Sequence, residues 1–443
     1  MKNFSFYLSI ILSALLLFGG AALLYFVSKA LNAVMLFGII LRALGVVLIL
    51  LMRRYPQLKL MLLGLLFILP WFGFMLVLYF LFGSADKTQK NKKVGLYVDK
   101  QTFLNENDYK IDYYNSGKSF FEAYLTDIKN AKKCVEIYFY IFESGYCATR
   151  LVAILFDLIK RGVSVTISAD WYGSGNLIND KTIKKLKMLG AKIICYKKPL
   201  LFLPKDNIRC HAKVTVVDDK ILYLPSCNLC DDEILKDKNI AVKLSGKISR
   251  ALGEFAPLFA KGKNCDNGCD GLAIMLTRPN GFLRAKVLSL LSGAEKSVII
   301  VTPYLSLDQI MVWEISKLIS RGVRVDIIVS NKRDKISLRI TKLYSEYLLS
   351  LGANIYCARG AFLHAKAVII DNRICQVGSA NFDVRSLREA TESILISSDN
   401  RLIAPLLDDF SAYLVPQNKM LPQKTPRFNL IKKGIARLLF PIF

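Results

Sequence analysis

Apolar side chains dominate the first 84 residues of the chain. Three apolar runs, Phe6–Val27, Val34–Met52 and Leu60–Phe82, are each long enough to cross a bilayer. Arg42 lies inside the second run, where an arginine costs about 2.5–3.5 kcal/mol, but the surrounding apolar residues contribute about 0.3–0.6 kcal/mol each in the opposite direction. A secretory signal peptide is the alternative for the first run, although further spans follow it. The pattern therefore predicts an N-terminal region of three transmembrane helices.

Beyond residue 108 the apolar positions take the periods of helices and strands, and the same order occurs twice. Each half opens with apolar residues at helical spacing, in Phe120–Ala131 and in Leu283–Ala294. A run rich in β-branched and aromatic residues follows in each half, Val135–Phe142 and Val298–Tyr304. Strands alternating with helices at this spacing predict α/β domains in which helices cover a mixed sheet.

Short repeats also indicate two related halves. The segment Lys160–Ile167 (KRGVSVTI) is echoed by Ser320–Ile327 (SRGVRVDI), and Leu189–Ile193 (LGAKI) is echoed by Leu351–Ile355 (LGANI). The order is preserved while the offsets drift by a few residues, as expected for duplicated domains with loop insertions. We therefore predict a transmembrane region, a basic linker, two domains and a basic amphipathic tail, with the bounds 1–84, 85–108, 109–262, 263–418 and 419–443.

The formal net charge of +26, from 61 basic and 35 acidic side chains, suits a polyanionic partner. Composition alone does not separate nucleic acid from an anionic membrane, but the predicted membrane anchor favours the membrane, and no nucleic-acid partner is expected. The lysines between residues 87 and 93 and the amphipathic segment Phe428–Phe443 are the stretches expected to contact anionic lipid.

Orientation in the membrane is predicted less directly. Lysine and arginine near the apolar runs, including Lys29 in the expected first loop, are almost evenly divided between the two sides. The ten cysteines lack the regular spacing of a disulfide framework, which is typical of a reducing compartment. The two α/β halves are therefore expected in the cytoplasm.

The chain contains only two histidines, and each begins the same pattern, His-x-Lys-x-x-x-x-Asp. Imidazole is the side chain that titrates closest to neutral pH, so histidines kept only in this repeated frame indicate chemistry. A single copy would more often be a core histidine beside a solvated lysine, and it is the repetition that favours chemistry. The apolar runs after the lysines, Val214–Val217 and Ala367–Ile370, predict buried strands. The two triplets are His211, Lys213 and Asp218 in the first half and His364, Lys366 and Asp371 in the second.

The repeated triplet has the composition that reaction at a phosphodiester needs. The negative phosphodiester repels nucleophiles, so its site must supply cations, a nucleophile and a proton donor for the leaving alkoxide. Two facing triplets supply these groups without a metal ion. Their carboxylates, Asp218 and Asp371, are then candidates for orienting the imidazole or lysine groups.

These residues resemble the phospholipase D superfamily, whose signature is this triplet followed by Gly-Ser-x-Asn. The second copy continues as GSANFDVRS over Gly378–Ser386, with Glu392 beyond it, and is similar to the cardiolipin synthase branch. The first copy continues as PSCNLCD over Pro225–Asp231, where the family usually has Gly-Gly-x-Asn, and Lys238 and Asn239 stand where the family often has Arg-Asp. These departures in the first half are expected to affect the acceptor pocket.

The resemblance implies a two-step exchange through a phosphatidyl-histidine. His211 would attack phosphorus, and His364 would protonate the departing alcohol and then activate the incoming one. Glu392 would orient a catalytic histidine. The residues implied to bind the phosphate or to brace the triplets are Ser226, Asn228, Ser379 and Asn381.

The resemblance also implies a fold and an activity. The fold would be two phospholipase D-like α/β domains in a pseudo-twofold arrangement, preceded by the transmembrane helical region. The activity would be that of a membrane-bound phosphatidyltransferase that joins two phosphatidylglycerol molecules into cardiolipin and releases glycerol, with no cofactor. An enzyme using serine, ethanolamine or water as acceptor is an alternative, because the triplets do not encode the acceptor. A nuclease would leave the anchor unexplained, and a non-catalytic scaffold would require an inactive first copy.

Overall fold

The structure is a computed structural model that describes residues 2–51, 56–82, 109–178, 180–196, 209–246, 265–269, 272–277, 281–332 and 335–421. The described residues form two compact units, one made of the N-terminal helices and one of the residues from Tyr109 onward. The predicted linker 85–108, and the predicted tail apart from residues 419–421, lie outside the described residues.

The first unit contains helices α1 (Lys2–Leu51), α2 (Pro56–Ile68) and α3 (Pro70–Phe82). The loop predicted around Lys29 is wrong, because α1 continues through this residue without a break. Within α1, the stretch Val27–Leu51 is long and apolar enough to cross a membrane.

The predicted single span Leu60–Phe82 is also wrong, because the chain bends between α2 and α3. Pro70 has no amide hydrogen, and its ring clashes with the preceding helical turn. After the bend, a Cβ atom added to Gly73 would lie 2.4 Å from the Cα atom of Leu66, so the two backbones are in direct contact. Each of these helices has 13 residues, or about 20 Å of helix.

The second unit is an α/β structure built from two similar halves. The first half contains helices α4–α8, which span Gly117–Lys129, Tyr146–Lys160, Trp171–Ile178, Lys181–Met188 and Asp231–Leu235. Its strands β1–β8 span Tyr109–Tyr114, Cys134–Phe139, Ser164–Asp170, Lys192–Tyr196, Arg209–Cys210, Val214–Val217, Ile221–Pro225 and Ala241–Gly246.

The second half repeats this order. Its helices α9–α13 span Phe282–Ser292, Gln309–Ser320, Lys335–Ser350, Val384–Arg388 and Asn400–Ser411. Its strands β9–β19 span Cys265–Cys269, Leu272–Leu276, Ser297–Thr302, Leu305–Ser306, Arg324–Ser330, Asn354–Ala358, Ala367–Ile370, Ile374–Gly378, Phe382–Asp383, Ala390–Thr391 and Ser393–Ser397.

The two main sheets have matching topology. The first sheet has the order β1-β8-β7-β6-β2-β3-β4, and the second has the order β14-β13-β11-β15-β16-β19-β10-β9. In the first sheet β2, β3 and β4 pair in parallel and the other strands pair antiparallel, and the second sheet repeats the mixture. The predicted α/β fold with two related mixed sheets is therefore confirmed, and the strands that follow the two lysines, β6 and β15, have the predicted bounds.

The hydrophobic core lies in three layers, which explains why every residue of β6 and β15 is buried and, apart from Thr215, apolar. A central cluster between the sheets contains Val214 and Leu224 from the first half and Ile369 and Leu395 from the second. Two outer clusters lie between each sheet and its own helices. A strand buried on both faces needs a continuous apolar run. The halves therefore share one core, and the ends of their central strands are held together.

Candidate active site

The two histidine segments lie directly before the central strands β6 and β15, where the halves cross. Strand β5, just before His211, pairs in parallel with β18, which ends just before Glu392. In the equivalent crossing, the Lys238 amide donates to the Phe362 carbonyl at 2.8 Å, and the His364 amide donates to the Lys238 carbonyl at 2.8 Å. Backbone pairing thus holds each histidine beside a loop of the opposite half.

His211 contacts a carboxylate from the second half. Its Nδ1 atom lies 3.0 Å from both carboxylate oxygens of Glu392, and its ring packs against Tyr140 with the centroids 5.1 Å apart. Nζ of Lys213 lies 3.1 Å from Nε2 of the same ring. Because Nδ1 faces acceptors, it carries the hydrogen, and the Nε2 lone pair faces the lysine ammonium group.

His364 has the reciprocal arrangement. Its Nδ1 atom lies 3.1 Å from Oε2 of Glu233 and 3.2 Å from Oδ1 of Asn239, both in the first half. Lys366 crosses the boundary as well, since its Nζ donates to the carbonyl of His364 at 2.6 Å and to that of Ser226 at 3.1 Å. Nδ1 of this ring also faces acceptors, so in both histidines Nδ1 carries the hydrogen and Nε2 is the nitrogen with the free lone pair in the neutral ring.

The two motif serines lie at the site and bond to the side chains that contact the histidines. The hydroxyl of Ser226 donates to Oδ1 of Asn239 at 2.8 Å. The hydroxyl of Ser379 donates to Oε2 of Glu392, and both serine side chains are buried. These contacts are of the bracing kind, one of the two roles expected for the serines.

The two motif asparagines differ in their contacts. Asn228 donates from Nδ2 to Glu233 at 2.9 and 3.1 Å, and its Oδ1 accepts from the Ile141 amide at 3.1 Å. Oδ1 of Asn381 is buried and has no hydrogen-bond partner in the described part of the chain. Asn228 is therefore committed to bracing a carboxylate, whereas Asn381 retains an acceptor for a hydroxyl group.

Asp218 and Asp371 lie away from the imidazoles, at the far ends of β6 and β15. Each carboxylate accepts three backbone amides at 2.6 to 3.1 Å, from Lys132, Lys133 and Cys134 for Asp218 and from Glu295, Lys296 and Ser297 for Asp371. The orienting role predicted for these carboxylates is therefore wrong. They anchor the turn after each central strand, and the carboxylates at the imidazoles are Glu392 and Glu233.

Sequence reasoning missed Glu233, although a signal was present. It is the last of three consecutive acidic residues that begin three positions after Asn228. The side chain of Asp232 is 62% exposed whereas that of Glu233 is 6% exposed, so α8 turns one of these acids inward. The direction of that short helix decides which acid enters the site, and the sequence pattern alone does not give it.

Burial dominates the electrostatics of the imidazoles. It lowers the pKa of His211, with Glu392 opposing the shift, and it lowers the pKa of His364 to about 3 against the attraction of Glu233. Both rings are therefore neutral at pH 7 in the free protein, as a nucleophile or general base must be.

The two carboxylates stay ionised, because attraction by neighbouring groups outweighs their burial. Burial alone would raise the pKa of Glu392, but His211 and Lys213 outweigh it and leave that pKa lowered. Burial likewise opposes the effect of His364 and Lys366 on Glu233, whose pKa lies well below its usual value. Burial lowers the pKa of both lysines. In Lys213 the carboxylate of Glu392 opposes this shift, whereas in Lys366 repulsion by Lys213 adds to it and leaves the pKa well below its usual value. The site thus holds two neutral imidazoles among two ionised carboxylates and two buried lysines.

Comparison with known proteins gives this site a family. The family described as "Cardiolipin synthase, PLD-like domain" matches residues 124–261 and 287–414, which is more than half of the chain and includes both triplets. The chain belongs to this family. Membership of the cardiolipin synthase family confirms the resemblance inferred from the two triplets and the motifs that follow them.

Relatives in the cardiolipin synthase family align over most of their length. A cardiolipin synthase of Clostridium perfringens is 27% identical over an alignment of 462 positions, which covers 88% of this chain and 95% of the relative. A cardiolipin synthase of Oceanobacillus iheyensis is 27% identical and covers 82% of this chain and 81% of its own.

Among solved structures, the phosphatidylserine synthase of Haemophilus influenzae matches with a TM-score of 0.59 at 15% identity, covering 77% of this chain and 94% of that one. At this identity the likeness concerns the fold alone. It agrees with two phospholipase D-like domains in a pseudo-twofold arrangement.

Proposed function

We propose that this chain is a membrane-bound cardiolipin synthase that transfers a phosphatidyl group from one phosphatidylglycerol to the other and releases glycerol. Membership of the cardiolipin synthase family supports this activity. The observation that carries the chemistry is that each of the two histidines is paired with a carboxylate of the opposite half. Such pairing holds the hydrogen of each neutral imidazole on Nδ1 and leaves Nε2 as the nitrogen that can react, and one phosphodiester exchange needs two such imidazoles for its nucleophile and its acid.

In the first step, Nε2 of His211 attacks phosphorus and the bond from phosphorus to the glycerol oxygen breaks. The proton needed by the departing glycerol comes from His364, and the phosphatidyl group remains on His211. Lys213 and Lys366 neutralise charge on the phosphoryl oxygens. His211 is assigned as the nucleophile because Nζ of Lys213 lies 3.1 Å from its Nε2 atom. A phosphoryl oxygen bound by this ammonium group would bring phosphorus next to Nε2.

The protonated His364 needed for this step follows from the charge of the substrate. In the free protein the pKa values of Glu233 and Glu392 are lowered, so both carboxylates are ionised beside Lys213 and Lys366. A bound phosphodiester adds one negative charge next to His364, and a nearby negative charge raises the pKa of an imidazole. Substrate binding is thus coupled to the uptake of the proton that the leaving glycerol receives.

In the second step, the phosphatidyl group moves to the second lipid. A hydroxyl of the second phosphatidylglycerol attacks phosphorus while His364, neutral after the first step, removes its proton. The bond from phosphorus to Nε2 of His211 breaks, and cardiolipin leaves with both histidines restored. Asn381, whose buried Oδ1 has no hydrogen-bond partner among the described residues, is suited to hold a hydroxyl of the glycerol headgroup.

The proposed location is the cell membrane, with more than one pass and with the two catalytic halves in the cytoplasm. The stretch Val27–Leu51 supports an anchor, because its apolar side chains are exposed along much of their length, including Leu31 at 58% and Leu51 at 72%. The hairpin of α2 and α3 is proposed as a further membrane segment. The basic linker 85–108 and tail 419–443 would contact anionic lipid, and the two domains are proposed to span 109–262 and 263–418.

The test uses the purified full-length chain in mixed micelles with phosphatidylglycerol labelled in its headgroup glycerol and a chelator present. Cardiolipin and free glycerol should form in equal amounts, and His211→Ala or His364→Ala should abolish both. Formation of phosphatidic acid alone, or of a new phospholipid when serine or ethanolamine is added, would contradict the proposed acceptor. The matched control is His211→Ala in the same preparation, with its melting temperature measured to show that it is folded.

A further inference from the structure

The two halves can be aligned residue by residue at the strands that carry the motif serines. Pro225, at the end of β7, pairs with Ala241, and Gly378, at the end of β16, pairs with Ile394. The residues two positions before Ala241 and Ile394 therefore occupy equivalent places in the two halves. They are an amide in the first half and a carboxylate in the second, Asn239 and Glu392.

Hydrogen bonds repeat this equivalence. The amide of Ser226 donates to the Ile240 carbonyl at 2.8 Å, and the amide of Ser379 donates to the Ser393 carbonyl at 2.9 Å. Each serine hydroxyl accepts the amide of the same partner, at 3.0 and 2.9 Å. Each hydroxyl then donates to a side-chain oxygen, which belongs to Asn239 in the first half and to Glu392 in the second.

The first half nevertheless brings a carboxylate to the opposite histidine, from another element. Glu233 lies on α8, five residues after Asn228, and its Oε2 is 3.1 Å from Nδ1 of His364. The fifth residue after Asn381 in the second half is Ser386, an uncharged side chain. The first half therefore has the amide Asn239 at the position equivalent to Glu392. It has the carboxylate Glu233 at the position equivalent to Ser386.

The two replacements are connected by direct contacts. Nδ2 of Asn239 donates to the backbone carbonyl of Glu233 at 2.7 Å, and Oδ1 of Asn239 lies 3.2 Å from Nδ1 of His364. The Asn228 amide donates to Oε2 of Glu233 at 2.6 Å. An aspartate at position 239 would lose the donor to Glu233 and would place a second negative charge beside the same imidazole nitrogen.

We propose that Glu233 is the positioning residue of His364, and that it replaces a carboxylate at position 239, which in this chain is the neutral Asn239. This inference rests on the proposed function, since it concerns how the acid and base of that reaction is held. Glu233 fixes the hydrogen of His364 on Nδ1 and turns Nε2 toward the leaving and entering oxygens. Asn239 holds the same ring and the backbone of Glu233 without adding charge.

The test moves the carboxylate back to the symmetric position. Glu233→Gln should lower the turnover number about 100-fold, as expected when a general acid and base is wrongly held, with little change in KM for phosphatidylglycerol. Asn239→Asp alone should also lower turnover, because two carboxylates would then compete for one imidazole nitrogen. The double variant Glu233→Gln/Asn239→Asp should recover at least about tenfold over either single variant, since one carboxylate again faces His364.

The matched control is Asp232→Asn, one residue away on α8 with an exposed side chain, which should keep wild-type turnover. Melting temperatures show whether each variant is folded. If Glu233→Gln gives too little folded protein, the turnover of the double variant is compared with that of Asn239→Asp alone. Turnover within threefold of wild type for Glu233→Gln, or a double variant no more active than Asn239→Asp, would overturn the inference. Rates are counted over all phosphatidyl products, so a product other than cardiolipin contradicts the proposed function and leaves these ratios readable.

Discussion

Each histidine of the site is held by a carboxylate that comes from the opposite half, Glu392 for His211 and Glu233 for His364. The histidines and lysines of the triplets and the serines after them could be predicted because their spacing repeats along the chain. The contact between Glu233 and His364 could not, because it joins residues from opposite halves and depends on the direction of a five-residue helix. Asp218 has the spacing expected for the triplet but does not orient His211. Four strand residues separate it from the lysine, so it lies at the far end of β6.

The first residue-level prediction concerns Glu392, whose two oxygens lie 3.0 Å from Nδ1 of His211. Replacing it with glutamine removes the charge that would stabilise the proposed phosphohistidine cation and allows an amide donor to face Nδ1. We expect Glu392→Gln to lower turnover about 100- to 1,000-fold, measured as initial rates of cardiolipin formation. Glu389→Gln, an exposed acid on the same segment, should leave the rate unchanged. A rate for Glu392→Gln close to that of this control would refute the role.

The second residue-level prediction concerns stability against pH. Burial lowers the pKa of His364 to about 3, whereas in the unfolded chain a histidine titrates near 6.5. Between these pH values the unfolded state binds a proton that the folded state does not. The contribution of this group to the free energy of unfolding is therefore complete above pH 6.5 and is lost as the pH falls toward 3. From pH 7 to 5 this one group should remove about 2 kcal/mol.

Urea unfolding of the solubilised protein at the two pH values measures this loss. His364→Asn is the control, and its stability should fall by about 2 kcal/mol less over the same interval. An equal loss in the variant and the wild type would show that His364 is not the buried neutral group described here.

At the level of elements, prediction succeeded where burial and period agreed. Strands β6 and β15 were predictable to the residue because both faces are buried and a polar residue ends each run. The N-terminal helices were predicted less well because an apolar run gives no period from which to place a bend. Lys29 did not interrupt α1, whereas Pro70, inside a run that is apolar throughout, divided α2 from α3.

The bend between α2 and α3 gives a prediction about helix packing. A side chain at Gly73 would meet the backbone of Leu66 at 2.4 Å, and backbone atoms cannot move aside as a flexible side chain can. Gly73→Leu should therefore open the hairpin and lower the melting temperature of the detergent-solubilised protein by several degrees, about the effect of an overpacking change of 1–3 kcal/mol. Gly64→Leu, where no atom lies within 4 Å of the added Cβ, should have little effect. Equal melting temperatures for the two variants would exclude the close contact.

For the second unit as a whole, the two halves share a core as well as a site. Residues of both sheets form one central cluster, and β5 of the first half pairs with β18 of the second. The two halves cannot separate without exposing that cluster to solvent and moving Glu392 and Glu233 away from the histidines that they contact. The duplication in the sequence predicted two domains but not that their cores are joined. The spacing of apolar residues within a half shows which faces are buried, but not whether helices or the other half cover them.

This shared core predicts that the halves unfold together. Asp371 lies at the outer end of β15 with a φ of 53°, a conformation that asparagine also tolerates, and it accepts three backbone amides. Asp371→Asn weakens these charge-assisted bonds and should cost about 2 kcal/mol of stability. Amides that exchange through global unfolding should then exchange about 30-fold faster, and to the same extent in β7 of the first half as in β16 of the second. Hydrogen exchange measured by mass spectrometry follows both strands at once. The control is Glu295→Gln, which keeps the backbone donor and changes an exposed side chain.

Faster exchange confined to β16 would show that the halves unfold independently. The site, which is built from both halves, would then be held together by docking of two separate cores instead of by one common core.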